Sequence, residues 1–255
     1  MKILVCCKIV PEEQDIVIQK DGQLDISRSA AKISQYDLNA IECATRLAGA
    51  DGEVVALSAG PRKWLDNTKI RKDILSRGPA SLHLVMDDAL EGAMPDTTAS
   101  ALALAARRIG FDLILCGEGS GDLYAQQVGL LLGEDLNVPN INAVSSVTIE
   151  NGNVVVERSL EREIEVLELP LPAVLCVTSD INVPKIPTMK AILGAGKKPV
   201  EVFSCAELGV KTESLSGYVS IVAPEGRERM NKIFESDSDE NIASFIELVR
   251  KVVQA

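Results

Sequence analysis

Four short apolar segments alternate with segments of helical periodicity over roughly the first 135 residues of this chain. The apolar segments are residues 2–7, 53–59, 81–86 and 112–116. Helical patterns cover residues 34–50, 63–77 and 95–110. Parallel strands need a crossover connection, usually a helix, and they are buried on both faces. The alternation therefore predicts an α/β fold with a doubly wound, mostly parallel sheet that is covered by helices on both faces.

The pattern changes to antiparallel after Pro139. Residues 143–150 and 153–160 flank the pair Asn151-Gly152, which favours a hairpin, and residues 163–169 alternate charged and apolar side chains. Residues 173–177 form another apolar run, which we expect to join the main sheet. No linker rich in Gly, Ser or Pro separates these parts. We therefore expect one α/β domain at residues 1–199, with an antiparallel extension at 143–169.

Residues 200–255 contain too few core-like runs to form a domain, so they are predicted to be a C-terminal arm. The pattern indicates an isolated strand at 218–222 and an amphipathic helix at about 240–253. We expect the arm to pack on a partner subunit, with the body of the chain itself as the alternative. A small excursion hairpin is expected near residues 17–26. In the helical segment at 34–50, Ser34 is the expected N-cap and Asp37 lies in the first turn.

The segment 112–133 predicts a strand, a tight turn and a helix. Gly117, Gly119 and Gly121 occupy every second position of the turn. Turn amides and a helix N-terminus concentrate positive charge, and glycines let a ligand approach the main chain, so a phosphate would fit there. The spacing matches neither the dinucleotide fingerprint nor the Walker loop. The turn alone therefore leaves a plain strand-to-helix connection open.

The expected topology indicates the same place. In a doubly wound sheet, ligands bind at the carboxyl ends of the strands where the winding reverses, here the first and fourth strands. These strands end at Cys6-Cys7-Lys8 and at Cys116-Gly117. Together the two signals favour a nucleotide site, with Lys8 either beside a phosphate or simply solvated at a strand end.

Composition excludes several function classes. A net charge of -11 argues against a nucleic-acid partner, and the absence of a long apolar run or signal peptide predicts a soluble cytoplasmic protein without membrane insertion. His83 is the single histidine, and no nucleophile-base set or metal-ligand spacing is present, so we expect no catalytic residues and no metal. The cysteines form no C-x-x-C pair, which predicts buried free thiols. They are Cys6, Cys7, Cys43, Cys116, Cys176 and Cys205.

A cationic loop with apolar residues covers residues 179–199 and contains one or two expected helical turns near 188–193. Its lysines are Lys185, Lys190, Lys197 and Lys198, and its apolar residues include Met189, Ile192 and Leu193. In an otherwise acidic protein this combination is typical of a docking surface for an acidic partner. The alternative is a solvated loop whose apolar residues fold back.

Several of these segments, taken together, carry a resemblance that covers nearly the whole chain. They are Lys8-x-Val10-Pro11, residues 34–42, Ser58-x-Gly60-Pro61, residues 121–129, Val156-Glu157-Arg158 with residues 169–174, and residues 182–198. The chain resembles the β subunit of the electron transfer flavoproteins, and it is most similar to their bacterial Fix-type branch.

The resemblance implies a heterodimer with an electron transfer flavoprotein α subunit, which holds the redox-active FAD while the β subunit supports it. The pair would carry electrons from flavin dehydrogenases, typically acyl-CoA dehydrogenases, to a quinone-linked oxidoreductase. The β subunit would bind AMP or, in bifurcating members that use NADH, a second FAD. By matching positions the nucleotide contacts would be Cys6, Lys8, Ser58, Ala59, Gly60, Asp122, Gln126, Gln127, Val128 and Gly129.

The family's partner loop corresponds to residues 182–198, with its apolar anchor on or next to Met189. The implied docking residues are Lys185, Met189, Lys190, Ile192 and Leu193. Leu123 and Tyr124 depart from both the AMP and the FAD versions of the family's nucleotide loop, so both ligands stay open. A second function class is a stand-alone adenine-nucleotide sensor of the universal-stress type. The cationic loop and the C-terminal arm distinguish the two, because a self-sufficient sensor needs neither.

Overall fold

The computed structural model describes residues 1–224 and 231–254. Its strands are Lys2–Cys6 (β1), Ile9–Pro11 (β2), Val17–Ile18 (β3), Leu24–Asp25 (β4), Ala31–Ile33 (β5), Glu53–Gly60 (β6), Ser81–Met86 (β7), Leu113–Gly117 (β8), Asn140–Glu150 (β9), Asn153–Ser159 (β10), Ile164–Leu169 (β11), Ala173–Val177 (β12) and Val200–Phe203 (β13). Its α-helices are Gln35–Ala48 (α1), Arg62–Leu65 (α2), Thr68–Ser76 (α3), Pro95–Ile109 (α4), Val128–Leu136 (α5), Met189–Ala195 (α6), Cys205–Leu208 (α7) and Asp239–Val253 (α8).

A nine-stranded sheet with the order β11-β10-β9-β12-β8-β1-β6-β7-β13 organises the fold. In the sheet order, every neighbouring pair from β9-β12 to β7-β13 is parallel. The pairs β9-β10 and β10-β11 are antiparallel. Val5 of β1 pairs with Ala56 on one side and Leu115 on the other. The chain moves outward from β1 to β6 and β7, then returns to β8 on the opposite side. This order confirms the doubly wound fold, the antiparallel extension and the reversal between the first and fourth predicted strands.

Two apolar layers cover the central strands. Alternate residues of β1 point to opposite faces, so Ile3 and Val5 join one core cluster and Leu4 and Cys6 join the other. Helices α1 and α3 cover the first face, and α4 and α5 cover the second. Burial on both faces explains why these strands are continuous apolar runs in the sequence.

Local details of the middle of the chain differ from the prediction. The helix expected at 63–77 is two helices, because the Asn67 side chain accepts hydrogen bonds from the Lys69 and Ile70 nitrogens and caps α3. The helix of the 112–133 segment begins only at Val128. The loop before it contains Tyr124 and Gln126 with left-handed φ angles of 48° and 55°. The excursion hairpin forms as β3 and β4.

Differences also occur in the arm predicted at 200–255, of which residues 225–230 and 255 lie outside the described part. Val200–Phe203 is an edge strand beside β7, since Phe203 is buried in the second core cluster. The prediction of a strand at 218–222 is wrong, because Val222 makes only an isolated bridge with Gln23. The terminal helix forms as α8.

All six cysteines are buried and free, which confirms the predicted burial. Among the described helices we find none whose length and hydropathy would allow it to cross a membrane.

Candidate functional site

A cavity lies at the carboxyl ends of β1 and β8, where the winding of the sheet reverses. About 830 Å³ of space free of protein atoms lies in and above it, part of it open solvent. Seven of the predicted contact residues line it: Cys6, Lys8, Ala59, Gln126, Gln127, Val128 and Gly129. The structure does not bring Ser58, Gly60 or Asp122 to the cavity wall. Ser58 is buried at 1% exposure, and its Oγ has no hydrogen-bond partner within the described residues.

A buried carboxyl group joins the two strand ends below the cavity. Asp37 Oδ2 accepts a hydrogen bond from the Lys8 main-chain nitrogen at 2.7 Å, and its Oδ1 accepts one from the Gly117 nitrogen at 3.1 Å. Burial raises the pKa of Asp37 to about 7, although the two N–H donors and the Lys8 charge oppose that rise. This role of Asp37 was not predicted from the sequence. The one feature that could have indicated it is the position of Asp37 in the first turn of the helix that follows the first strand.

The predicted N-cap, Ser34, has a different partner from the one expected. It occupies the N-cap position of α1, but its side chain makes no capping hydrogen bond. Instead, its Oγ accepts a hydrogen bond from the Gly121 nitrogen at 3.2 Å. The start of α1 therefore holds the glycine loop through both Ser34 and Asp37.

The predicted phosphate neighbour, Lys8, already has a partner. Its Nζ lies 2.7 and 2.8 Å from the two carboxylate oxygens of Asp122, and Ser120 Oγ donates to the same carboxylate at 2.5 Å. Burial alone would raise the pKa of Asp122, but the Lys8 ammonium and these hydrogen bonds hold it below its ordinary value. A bound phosphate would therefore compete with Asp122 for Lys8.

Packing within the protein itself requires two glycines of the loop. A Cβ on Gly117 would lie 2.7 Å from Tyr36 Cβ and from Asp37 Oδ1. A Cβ on Gly119 would lie 2.5 Å from the Tyr124 ring, which packs against Tyr36 with ring centroids 5.0 Å apart. Two of the three glycines in the Gly-x-Gly-x-Gly spacing therefore have a structural cause that does not involve a ligand, whereas a Cβ on Gly121 would meet only Val10 at 3.8 Å.

Two thiols, those of Cys6 and Cys116, line the floor of the cavity. Cys6, Cys116 and Cys176 belong to neighbouring strands and to the same core cluster, and Cys116 pairs in register with Cys176. A hydrogen bond with Cys116 and burial both raise the pKa of Cys176 well above the ordinary thiol value. Protonated thiols of this kind are inert and weakly polar. This part of the cavity suits an uncharged group.

The cavity has a polar end and an apolar side. At one end Gln127, Val128 and Gly129 begin helix α5, whose first N–H groups have no acceptor inside the helix. They give this end a partial positive charge. Another part of the wall contains the start of α4 and the end of β6, through Ala59, Ala93, Pro95, Thr98 and Leu102. Such a cavity can hold a molecule with an anionic end and an apolar body.

The predicted docking loop exposes its apolar residues. Met189 and Leu193 are each 71% exposed and Ile192 is 44% exposed, all on α6, whose Thr188 cap accepts a hydrogen bond from the Ala191 nitrogen. Lys190 is exposed, and Lys185 Nζ lies 3.4 Å from Glu42 Oε1. Lys198 instead points inward and donates to the carbonyl oxygens of Leu75 and Pro79 at 2.7 and 2.6 Å. Lys198 therefore stabilises the fold and is not part of the exposed surface of this loop.

The amphipathic helix α8 leaves its apolar face uncovered. Ile242, Phe245, Ile246 and Val249 are between 40% and 51% exposed, and α8 has no buried residue. Within residues 1–224 and 231–254, no group of three His, Cys, Asp or Glu side chains could hold a metal ion.

Residues 22–208 match the family model described as the electron transfer flavoprotein domain. The match covers well over half of the 255 residues. It includes the glycine loop, helix α5 and the loop that carries α6, whereas β1 and α8 lie outside it.

Proposed function

The chain belongs to the electron transfer flavoprotein family, and we propose that it is a β subunit of the bacterial Fix-type branch. In this role it has no catalytic residues of its own. It works in the cytoplasm, supports the FAD of an electron transfer flavoprotein α subunit and binds AMP in the cavity at the strand ends. It docks flavin dehydrogenases such as acyl-CoA dehydrogenases, whose electrons pass to a quinone-linked oxidoreductase.

The single observation that carries the proposal is that helix α5 begins at the cavity wall. The free N–H groups of its first turn favour a phosphate at that end. The thiol floor and the apolar residues of α4 favour a ribose and a base in the rest of the cavity. A mononucleotide is the ligand proposed here, and a second FAD would be the ligand of a bifurcating subunit. A bifurcating subunit that uses NADH is the alternative.

The loop at 182–198 supports the docking role. Met189 and Leu193 project into solvent and Lys190 is exposed between them. An apolar anchor flanked by cations matches an apolar pocket with an acidic rim on a dehydrogenase. Lys185, Ile192 and the rest of α6 would extend this contact.

The C-terminal arm supports the heterodimer. The apolar face of α8 stays about half exposed although Phe234 packs on Phe245, and we assign this face to the α subunit. In this proposal residues 1–199 with β13 and α7 form the body, and helix α8 reaches the partner.

Absorbance and nucleotide release together test the proposal. The chain is purified alone and with the α chain encoded beside it, and bound nucleotides are released and identified. The proposal is supported if the preparation with the α chain is yellow and contains one FAD and one AMP, while the chain alone is colourless. Two flavins per heterodimer would support the bifurcating alternative. A preparation that stays colourless both alone and with the α chain, and that binds AMP without forming a complex, would contradict the electron-transfer role and support the sensor.

A lysine variant tests the cavity itself. Lys8→Met removes the ammonium group that lines the cavity beyond the end of β1, so AMP affinity measured by calorimetry should fall by about tenfold. Lys69→Met removes an exposed charge on α3, away from the cavity, and serves as the matched control. Equal AMP affinities of the two variants would contradict a phosphate at this end of the cavity.

A further inference from the structure

A segment near the C-terminus crosses from helix α4 to the excursion hairpin. Its first anchor lies at the start of α4: Ser214 Oγ is 2.7 Å from Thr97 Oγ1, and the Leu215 nitrogen donates to Asp96 Oδ2 at 2.7 Å. Its second anchor lies on the hairpin, where Val222 bridges Gln23 and the Ala223 nitrogen donates to Gly22 O at 2.9 Å. We call residues 214–223 the strap.

Between the anchors, Tyr218 of the strap lines the cavity. Its neighbour Val219 is fully exposed, and Leu215 is 95% exposed. The strap is therefore not held in place by burial of these apolar side chains. The Tyr218 side chain is only half exposed, and it shares the cavity wall with Ala93, Pro95 and Thr98.

The position of Tyr218 in the cavity wall indicates which part of a nucleotide it would contact, namely the base. The charged group of a nucleotide is favoured at the α5 end, where helix N–H groups are free. The start of α4, to which the strap is tied, contributes the apolar side of the cavity. With the phosphate at α5, the part of the wall formed by α4 and the strap is left for the base.

We propose that Tyr218 is a base-contacting residue of the nucleotide site and that the strap forms its last wall. The proposal rests on the proposed AMP site. An aromatic ring gains binding free energy by packing on a base, and this contact does not depend on the phosphate. Tyr218 therefore contributes to affinity for nucleotides but not to affinity for a sugar phosphate.

Calorimetry on the full chain tests the contact with two probes, AMP and ribose 5-phosphate, which lacks the base. Tyr218→Ala should weaken AMP binding by about tenfold and leave ribose 5-phosphate binding unchanged. Tyr218→Phe keeps the ring and should bind AMP as the wild type does. Val219→Ala, on the exposed neighbouring residue, is the matched control and should also bind normally.

The possible results distinguish a failure of the Tyr218 base contact from a failure of the proposed AMP site. If the wild type binds AMP and Tyr218→Ala binds it equally well, the base contact is wrong while the AMP site stands. A parallel loss of ribose 5-phosphate affinity in Tyr218→Ala would mean that the strap acts by shaping the fold, and it would also overturn the base contact. If the wild type binds neither AMP nor ribose 5-phosphate, the proposed AMP site fails and the inference fails with it.

Discussion

Asp37 Oδ2 accepts a hydrogen bond from the main-chain nitrogen of Lys8 at 2.7 Å. The other carboxyl oxygen of Asp37 accepts from the Gly117 nitrogen, so one side chain joins the first turn of α1 to the ends of β1 and β8. The same two strand ends border the cavity. Asp37 is only 6% exposed, and it lies where three chain segments meet. The geometry of the candidate site therefore depends on this buried acid.

We expect Asp37→Asn to change how stability depends on pH. Burial raises the pKa of Asp37 to about 7 in the folded chain, against an ordinary value of 3.8. Between these values the folded chain holds a proton that the unfolded chain has released, so the free energy of unfolding falls as the pH rises. The stability of the wild type relative to Asp37→Asn should therefore decrease from about pH 4 to about pH 7 and then level off. Urea unfolding at successive pH values measures this difference.

Asp122→Asn is the control for this experiment, because the pKa of Asp122 is shifted in the opposite direction. A lowered pKa contributes stability above the unfolded value, and this contribution is lost only as the pH falls through the folded value. The difference between wild type and Asp122→Asn should thus change little over the window in which Asp37 titrates, apart from the minor contribution that the Asp122 charge makes to the raised pKa of Asp37. A difference between wild type and Asp37→Asn that stays constant, or that grows with pH, would contradict the assignment.

Gly129→Ala should destabilise the fold. The added Cβ would lie 2.2 Å from Cys176 Sγ, and both the helix and the buried strand would have to separate to make room. Overpacking of a core in this way costs about 1–3 kcal/mol. Gly194→Ala is the matched control, since Gly194 is also helical but has no atom within 4 Å of an added Cβ. It should leave the free energy of unfolding unchanged or raise it by up to about 1 kcal/mol.

A second variant connects the Gly129 effect to its cause. Cys176→Ala removes the sulfur that the new Cβ would meet, so Gly129→Ala should be less harmful in that background. The coupling free energy from the double-mutant cycle should be about 1 kcal/mol or more, because the two sites are in contact. Strictly additive effects in urea unfolding would show that the clash with Cys176 is not what limits this position.

The sequence was sufficient for the parts of the fold that follow from local pattern. Strands buried on both faces are continuous apolar runs, as in β1 and β8, and the crossover helices between them fix a parallel sheet. The site at the strand ends then follows from topology alone, without any sharp motif. The loop at 182–198 was predictable because an exposed helix with apolar residues and lysines differs from the acidic rest of the chain.

Other parts depend on contacts between distant segments. Asp37 meets residues 29 and 80 positions away, and nothing in its own segment distinguishes it from an ordinary first-turn acid. The four residues of β13 are too few for a pattern, and they become a strand only because β7 offers a free edge. Tyr218 reaches the cavity through anchors on α4 and the hairpin, so its place could not follow from the apolar run around it.

Lys198 and Lys197 are adjacent lysines that should behave differently. Lys198 Nζ donates to two carbonyl oxygens, Leu75 O in the last turn of α3 and Pro79 O, and burial lowers its pKa. Lys198→Met leaves both oxygens without this donor and should lower the free energy of unfolding by about 1–3 kcal/mol. Lys197 is exposed, so Lys197→Met should stay within about 0.5 kcal/mol of the wild type in urea unfolding. Equal losses would contradict a structural role specific to Lys198.

Met189→Glu should weaken electron acceptance from a flavin dehydrogenase. Met189 is 71% exposed in the first turn of α6, where an acid is favourable for the helix, so the fold should be unaffected. In the proposed contact the new charge would enter an apolar pocket with an acidic rim, and the KM for the dehydrogenase should rise by about tenfold or more. Reduction of the flavin of the proposed heterodimer by the dehydrogenase measures this change. Val17→Glu places the same charge on the exposed excursion hairpin and should leave the kinetics unchanged. Identical kinetics for the two variants would exclude α6 as the docking element.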